Sequence, residues 1–192
     1  SRNMNDPAAN PDLTAYCKGD YRPGSTLRRI LWYAVSLVGF ESPFPWPMAG
    51  KAWVLRLFGA QIGRGLVIKP RVQIKFPWKL VIGSHCWIGE RVWIDNPAPV
   101  SLGDHVVISQ GVCLVTGNHD YRSPQFDLRL EPILVGDGAW LAAHCRVGPG
   151  ATVGARAILT FGSVATDSLL PEMVYGGNPA VLRRSRGPNP DR

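Results

Sequence analysis

One histidine of the four in this chain has the surroundings of a proton-transfer group. His119 sits in Thr116-Gly117-Asn118-His119-Asp120-Tyr121, a polar run that interrupts an otherwise aliphatic pattern. Imidazole titrates near neutral pH, so a partly enclosed histidine among polar neighbours is suited to act as a general base. His85, His105 and His144 each take the fourth place of a six-residue unit, a position that points outward or into a turn, and they read as surface groups. Cys17, Cys86, Cys113 and Cys145 form no CxxC pair and have no even spacing. They read as reduced, mostly buried thiols of a cytosolic protein.

The elements that must hold His119 follow from a repeat. Steps of six from Ile62, with gaps after 74, 94 and 114, give Ile62, Ile68, Ile74; Ile82, Ile88, Ile94; Leu102, Ile108, Leu114; Val135, Leu141, Val147; and Val153, Leu159, Ala165. Fourteen of these fifteen positions are Ile, Leu or Val, and glycine follows seven of them. A period of six fits neither a helix nor a hairpin meander. It fits a triangular coil in which each side is a short strand with its aliphatic residue pointing into the prism, and Gly and small residues turn the corners. Fifteen hexads make five coils, and the predicted fold is a mainly β, left-handed parallel β-helix.

Extra residues fall at one corner. The third hexads of the first three coils hold eight (74 to 81), eight (94 to 101) and twenty-one (114 to 134) residues. Long excursions from a rigid scaffold tend to carry function, and this one bears His119. By the same register Asp95 is one coil from Val115 and Asn96 one coil from Thr116. A carboxylate and a carboxamide are therefore expected beside the base of the loop.

Upstream of the repeat, residues 1 to 24 are rich in Asn, Asp, Pro and Gly and read as an extended arm rather than packed structure. In the helical segment 25 to 61, Ser25 is a good N-cap, and Leu27, Ile30, Leu31, Ala34, Leu37 and Val38 recur at helical spacing. A second helix from about Met48 to Phe58 would end at Gly59. The simplest role of the pair is a cap packed on the prism. The other is a place in a membrane interface, with Arg28, Arg29, Trp32 and Tyr33 near headgroups. The β-helix would run over 62 to 170 with its loop at 115 to 134, followed by a closing segment and basic tail over 171 to 192.

The net charge of +7 hides an asymmetry: residues 1 to 81 carry 12 Lys or Arg against 4 acids, 82 to 182 carry 5 against 9, and 183 to 192 carry 4 against 1. Positive ends around an acidic middle favour an anionic ligand or surface over a nucleic-acid groove, since no basic stripe with interleaved aromatics crosses the centre. No apolar stretch is long enough to span a bilayer, and the first residues lack the pattern of a signal peptide. The expected location is the cytoplasm, with weak peripheral contact at the inner membrane face as a further expectation.

Residues 68 to 96, 108 to 128 (ISQGVCLVTGNHDYRSPQFDL) and 174 to 182 (VYGGNPAVL) resemble the hexapeptide-repeat acyltransferases. Within them they are most similar to the colanic-acid biosynthesis acetyltransferase group, related to the maltose, galactoside and Nod-factor O-acetyltransferases. The resemblance covers about residues 25 to 184. It implies a CoA-dependent O-acetyltransferase acting on a sugar hydroxyl in exopolysaccharide or glycoconjugate biosynthesis, with acetyl-CoA as donor, no metal, and a homotrimer with CoA in the groove between neighbouring prisms. It implies His119 as the catalytic base, Asp95, Asn96, Asn118 and Tyr121 as acceptor-binding or base-orienting, and Ala142, Thr160, Asn178, Pro179 and Arg183 as donor contacts.

Two departures from the family pattern stand out. Trp140-Leu141-Ala142-Ala143 replaces the common Trp-Ile-Gly-Ala, which puts a methyl group beside the donor arm. Thr166-Asp167-Ser168 replaces the usual Thr-Lys-Asp, leaving Arg183 and Arg184 to meet the CoA phosphate. A γ-class carbonic anhydrase shares the β-helix, but its zinc needs two histidines five residues apart, and no such pair exists here. A non-catalytic structural or interaction protein on the same fold is the alternative reading.

Overall fold

A computed structural model describes residues 10–19 and 21–187. Its body is a three-sided parallel solenoid built from strands of two or three residues. The first face stacks Gln61–Ile62, Leu80–Ile82, Val100–Leu102, Ile133–Val135 and Thr152–Val153; the second begins at Val67–Ile68 and the third at Gln73–Ile74. Each coil adds one rung to all three. The pairing register joins Ile62 to Ile82, Ile82 to Leu102, Leu102 to Val135 and Val135 to Val153, so the sixfold sequence positions form one interior column. The equivalent columns from Ile68 to Leu159 and from Ile74 to Ala165 complete a core without polar side chains at these positions.

The corners turn differently from the expectation. Glycine fills only some of them. His85, His105, His144, Arg71, Arg91, Arg156 and Glu172 all hold left-handed φ between 56° and 60° at fourth positions. Left-handed backbone strains an L-residue. Here the corner amides are secured to the preceding coil: His85 N–H donates to Arg64 O at 2.7 Å and His105 N–H to Ser84 O at 2.8 Å. The two exposed imidazoles stack with centroids 5.2 Å apart, in keeping with their reading as surface groups.

A sixth, partial turn extends the prism past residue 170. Leu169 bridges to Val153, and the strand Met173–Gly176 pairs with Ile158–Leu159, placing Tyr175 against Leu159. The interval from Ala165 to Leu169 is four residues instead of six, which conceals this turn from a count by six. Val181–Ser185 then folds back antiparallel on Met173–Gly176 and covers the last edge. The tail beyond Gly187 lies outside the described residues.

At the other end, helix α1 (Thr26–Gly39) starts where Ser25 Oγ accepts from Arg28 N–H at 3.3 Å, and helix α2 is Met48–Leu57. Trp32 anchors α1. It is 3% exposed, its Nε1–H donates to Ile74 O at 2.7 Å, and its ring tilts on Phe40 and Phe58 at 5.3 and 5.1 Å. The stripe predicted to pack, Leu27 to Val38, points the other way: only Trp32 and Ser36 of this helix are buried.

Residues 10 to 19 of the arm are exposed apart from the half-buried Tyr16. Residues 1 to 9 lie outside the described residues, but Asp12 N–H donates to Pro124 O at 2.7 Å, which ties the arm to the excursion. Asp12 also caps a single 3-10 turn, Leu13–Ala15.

Candidate active site

The excursion forms a hairpin. Gly117–His119 pairs antiparallel with Leu128–Leu130, with Asn118 opposite Arg129 and His119 opposite Leu128. Its tip is closed by Asp120 N–H donating to Asp127 O at 2.8 Å and by Ser123 Oγ–H donating to Asp127 Oδ2 at 2.6 Å. Arg129 forms an ion pair with Asp120. The Arg122 amide, followed by the Arg129 guanidinium, holds the Asp120 carboxyl below its ordinary value.

Within this frame His119 is fixed on several sides. Its ring stacks on Phe126, with centroids 4.4 Å apart and planes 8° from parallel, and Tyr16 of the arm lies 5.8 Å away. Nδ1 is 3.1 Å from Phe126 O. A carbonyl oxygen can only accept, so the neutral ring carries its proton on Nδ1 and Nε2 keeps its lone pair. Among the described residues no hydrogen-bond partner occupies Nε2. A base held in one tautomer, with its acceptor nitrogen free, is ready to receive a proton from a hydroxyl.

His119 lines a cavity of about 340 Å³ with Asn118, Asp120, Arg129, Gly148 and Thr166. Asn118 Oδ1 accepts from the His119 backbone N–H at 2.8 Å, so it steadies the strand that carries the ring. Tyr121 also borders the cavity but is 73% exposed.

Asp95 and Asn96 are placed elsewhere. The register is as expected, with Asp95 opposite Val115, yet neither side chain hydrogen-bonds His119. Asn96 is fully buried; its Oδ1 accepts from Phe76 N–H at 2.9 Å, and its Nδ2 donates to Phe76 O at 2.8 Å and Lys79 O at 3.3 Å. This amide closes the corner loop of the first coil. Thr116, also buried, repeats the device one coil on, its Oγ1 accepting from Ala98 N–H at 2.8 Å. Asp95 faces a separate and larger groove of about 660 Å³ between α1 and the third face, with Tyr33, Gln73, Lys75 and Trp93. There Asp95 Oδ1 meets Lys75 Nζ at 2.7 Å as an ion pair lying off the hydrogen-bond direction, which leaves the oxygen with acceptor capacity.

The residues expected to hold the donor gather at another corner. Ala142 and Thr160 follow the second-face strands Trp140–Leu141 and Ile158–Leu159, one coil apart. Ala142 is buried. Thr160 and Arg183 converge on Gly176: a Cβ there would lie 2.6 Å from Thr160 Oγ1 and 3.4 Å from Arg183 Nε, so only glycine permits the approach. Ser163 Oγ lies 3.1 Å from Thr160 Oγ1 and accepts from Gly177 N–H at 3.0 Å, and Ala180 N–H donates to Val164 O at 2.8 Å. These bonds hold the exposed Asn178 and Pro179 over the final turn. Arg129 and the Phe126 carbonyl were absent from the sequence reading; the hairpin that brings them to His119 pairs residues whose spacing carries no periodic mark, while Thr166 reaches the cavity from the prism, just after the strand Val164–Ala165.

No family model matches the chain. It is 39% identical over 170 residues to the protein named colanic acid biosynthesis acetyltransferase WcaF of Escherichia coli K12, covering 86% of this chain and 91% of that one. It is 26% identical over 149 residues to galactoside O-acetyltransferase of the same organism, covering 76% and 73%. A hexapeptide-repeat acetyltransferase from Vibrio cholerae, solved with acetyl-CoA, superposes at a TM-score of 0.74 with 26% identity, covering 83% of this chain and 87% of that one.

Proposed function

Because the chain belongs to the colanic acid biosynthesis group of hexapeptide-repeat acetyltransferases, we propose that it transfers an acetyl group from acetyl-CoA to a sugar hydroxyl in polysaccharide biosynthesis. The observation that carries this reading is the Nδ1 contact of His119 with Phe126 O, which frees Nε2. Nε2 takes the proton of the acceptor hydroxyl as its oxygen attacks the thioester carbon. The same proton then goes to the departing thiolate, so CoA leaves as a thiol and the ring returns neutral. The reacting hydroxyl is met in the cavity at His119, where Asn118, Asp120, Arg129 and Thr166 offer hydrogen-bonding groups to a sugar.

At three of the four thiols a cysteine route is disfavoured. Burial pushes Cys86, Cys113 and Cys145 above their ordinary values, and Cys145 Sγ–H already donates to Thr160 O at 2.9 Å. Reduced thiols and an acetyl-CoA supply both suit the cytoplasm.

In the donor slot, the glycine at 176 that admits Thr160 and Arg183 supports the assignment, and Arg183 would meet a phosphate. Replacing Arg183 with alanine should raise the KM for acetyl-CoA about tenfold, the usual scale for a lost charge-assisted contact, with kcat nearly unchanged. An unchanged KM would remove Arg183 from the donor site.

His119 leaves the corner between the third and first faces, whereas Thr160 lies at the corner between the second and third. One prism therefore holds the base and the donor slot at different corners, and a three-fold assembly would let the hairpin of one protomer serve the slot of its neighbour. Light scattering should give about 63 kDa, three times the 21.0 kDa chain. A fully active monomer would exclude the shared site.

Thiol release from acetyl-CoA against a panel of glycosides tests the function as a whole. Release that depends on a glycoside is expected; release no faster with any sugar than without one would contradict it.

A further inference from the structure

The outward side of α1 is apolar. Leu27, Ile30, Leu31, Ala34, Leu37 and Val38 lie on the side opposite Trp32 and Ser36, and Leu27 and Val38 remain 67% and 62% exposed. A surface helix ordinarily buries this stripe and leaves its polar side in water. Here the order is inverted, because Trp32 holds the helix by its other side. The stripe continues into a groove between the helices, lined by Val38, Trp46, Pro47, Lys51, Trp53 and Val54, with a volume of about 420 Å³. Trp46 Nε1–H donates to Val38 O at 2.9 Å, which joins the loop to the end of the stripe. Trp53 is 62% exposed at the far wall.

Charge identifies the occupant. Residues 21 to 81 contain ten Lys or Arg and one acid, Glu41; of the cations, Lys51 is buried and Lys75 pairs with Asp95. Glu41 is turned inward, accepting from Ser36 Oγ–H at 2.8 Å and Gln73 Nε2–H at 3.1 Å. A self-complementary contact with a second copy would set this cationic segment against itself. A bilayer with anionic headgroups offers the opposite charge, an apolar layer of the right depth for a helix lying flat, and an interface where Trp and Tyr rings are favoured. Among the described residues no helix is long and apolar enough to cross a membrane, so the contact is one of lying on the surface.

We infer that the outward stripe of α1, with Trp46 and Trp53 beside it, docks this protein on an anionic phospholipid bilayer. The arrangement leaves the hairpin of His119 on the prism, away from the helices that meet lipid. It brings the groove between α1 and the third face close to the headgroup plane.

Flotation of the full chain with vesicles tests the inference, using phosphatidylcholine mixed with phosphatidylglycerol against phosphatidylcholine alone, each at low and high salt. The informative variant is Leu27→Glu/Leu31→Glu, since both side chains are exposed and the change leaves Trp32 and the core alone. The wild type should float with the mixed vesicles at low salt and less at high salt, and the double variant should bind at least about tenfold more weakly. Its thermal melting and its acetyl transfer to a soluble glycoside should match the wild type. Failure of the wild type to float on anionic vesicles at low salt would overturn the inference, as would equal binding by the double variant. So would a fall in oligomeric mass of the double variant with neither protein floating, because a second copy would then be what covers the stripe.

Discussion

Alanine at position 119 lowers the turnover of acetyl transfer by about 10²- to 10⁴-fold, the contribution of a positioned general base, while acetyl-CoA still binds. The variant removes Nε2 and nothing that the prism depends on, for the imidazole packs on Phe126 at the hairpin and not in the interior columns. Steady-state thiol release measures the fall, and calorimetric titration with CoA measures the retained affinity. Equal turnover in wild type and variant would withdraw the base assignment. Loss of CoA binding together with activity would instead point to a collapsed hairpin.

Alanine at position 96 acts on stability. The Asn96 side chain is fully buried and satisfies Phe76 N–H, Phe76 O and Lys79 O. Without it, backbone groups of the first corner loop lose their partners inside the protein, a change expected to cost about 2–4 kcal/mol. The urea midpoint should fall accordingly. The effect on acetyl transfer by the protein that remains folded should be small, because this amide touches neither His119 nor the Asp95 groove. A normal midpoint with much reduced turnover would return Asn96 to the active site.

These two asparagine and histidine cases mark where the sequence was readable. The interior columns were legible because a stacked coil repeats one environment every six residues and the backbone ladder forces the same register in all faces. The place of His119 on an excursion was legible because it alone among the histidines departs from that repeat. Asn96 marks a limit of the repeat: the register placed it one coil from Thr116, and it is there, but periodicity carries no information about whether an amide faces a ligand or its own backbone. Tertiary pairing decided that.

The α1 stripe failed in a related way. Helical spacing identifies an apolar side but not the direction it faces, and one tryptophan bonded to Ile74 O sets that direction against the pattern. The arm looked unpacked because Asn, Asp, Pro and Gly favour no regular element, yet one backbone bond from Asp12 to Pro124 brings Tyr16 to the imidazole. Family membership also bears on the alternative of a structural protein that merely kept the fold: it is not favoured, since the relatives it matches over most of its length are named acetyltransferases.

The fate of the acetyl group tests the central claim most directly. The protein is incubated with isotopically labelled acetyl-CoA, first without and then with a competent glycoside, and the label is followed by mass spectrometry on intact protein and on sugar. Direct attack by a hydroxyl that His119 deprotonates predicts unlabelled protein throughout and an O-acetyl ester on the sugar. Label held covalently by the protein before the sugar is added, and passed on afterwards, would contradict it.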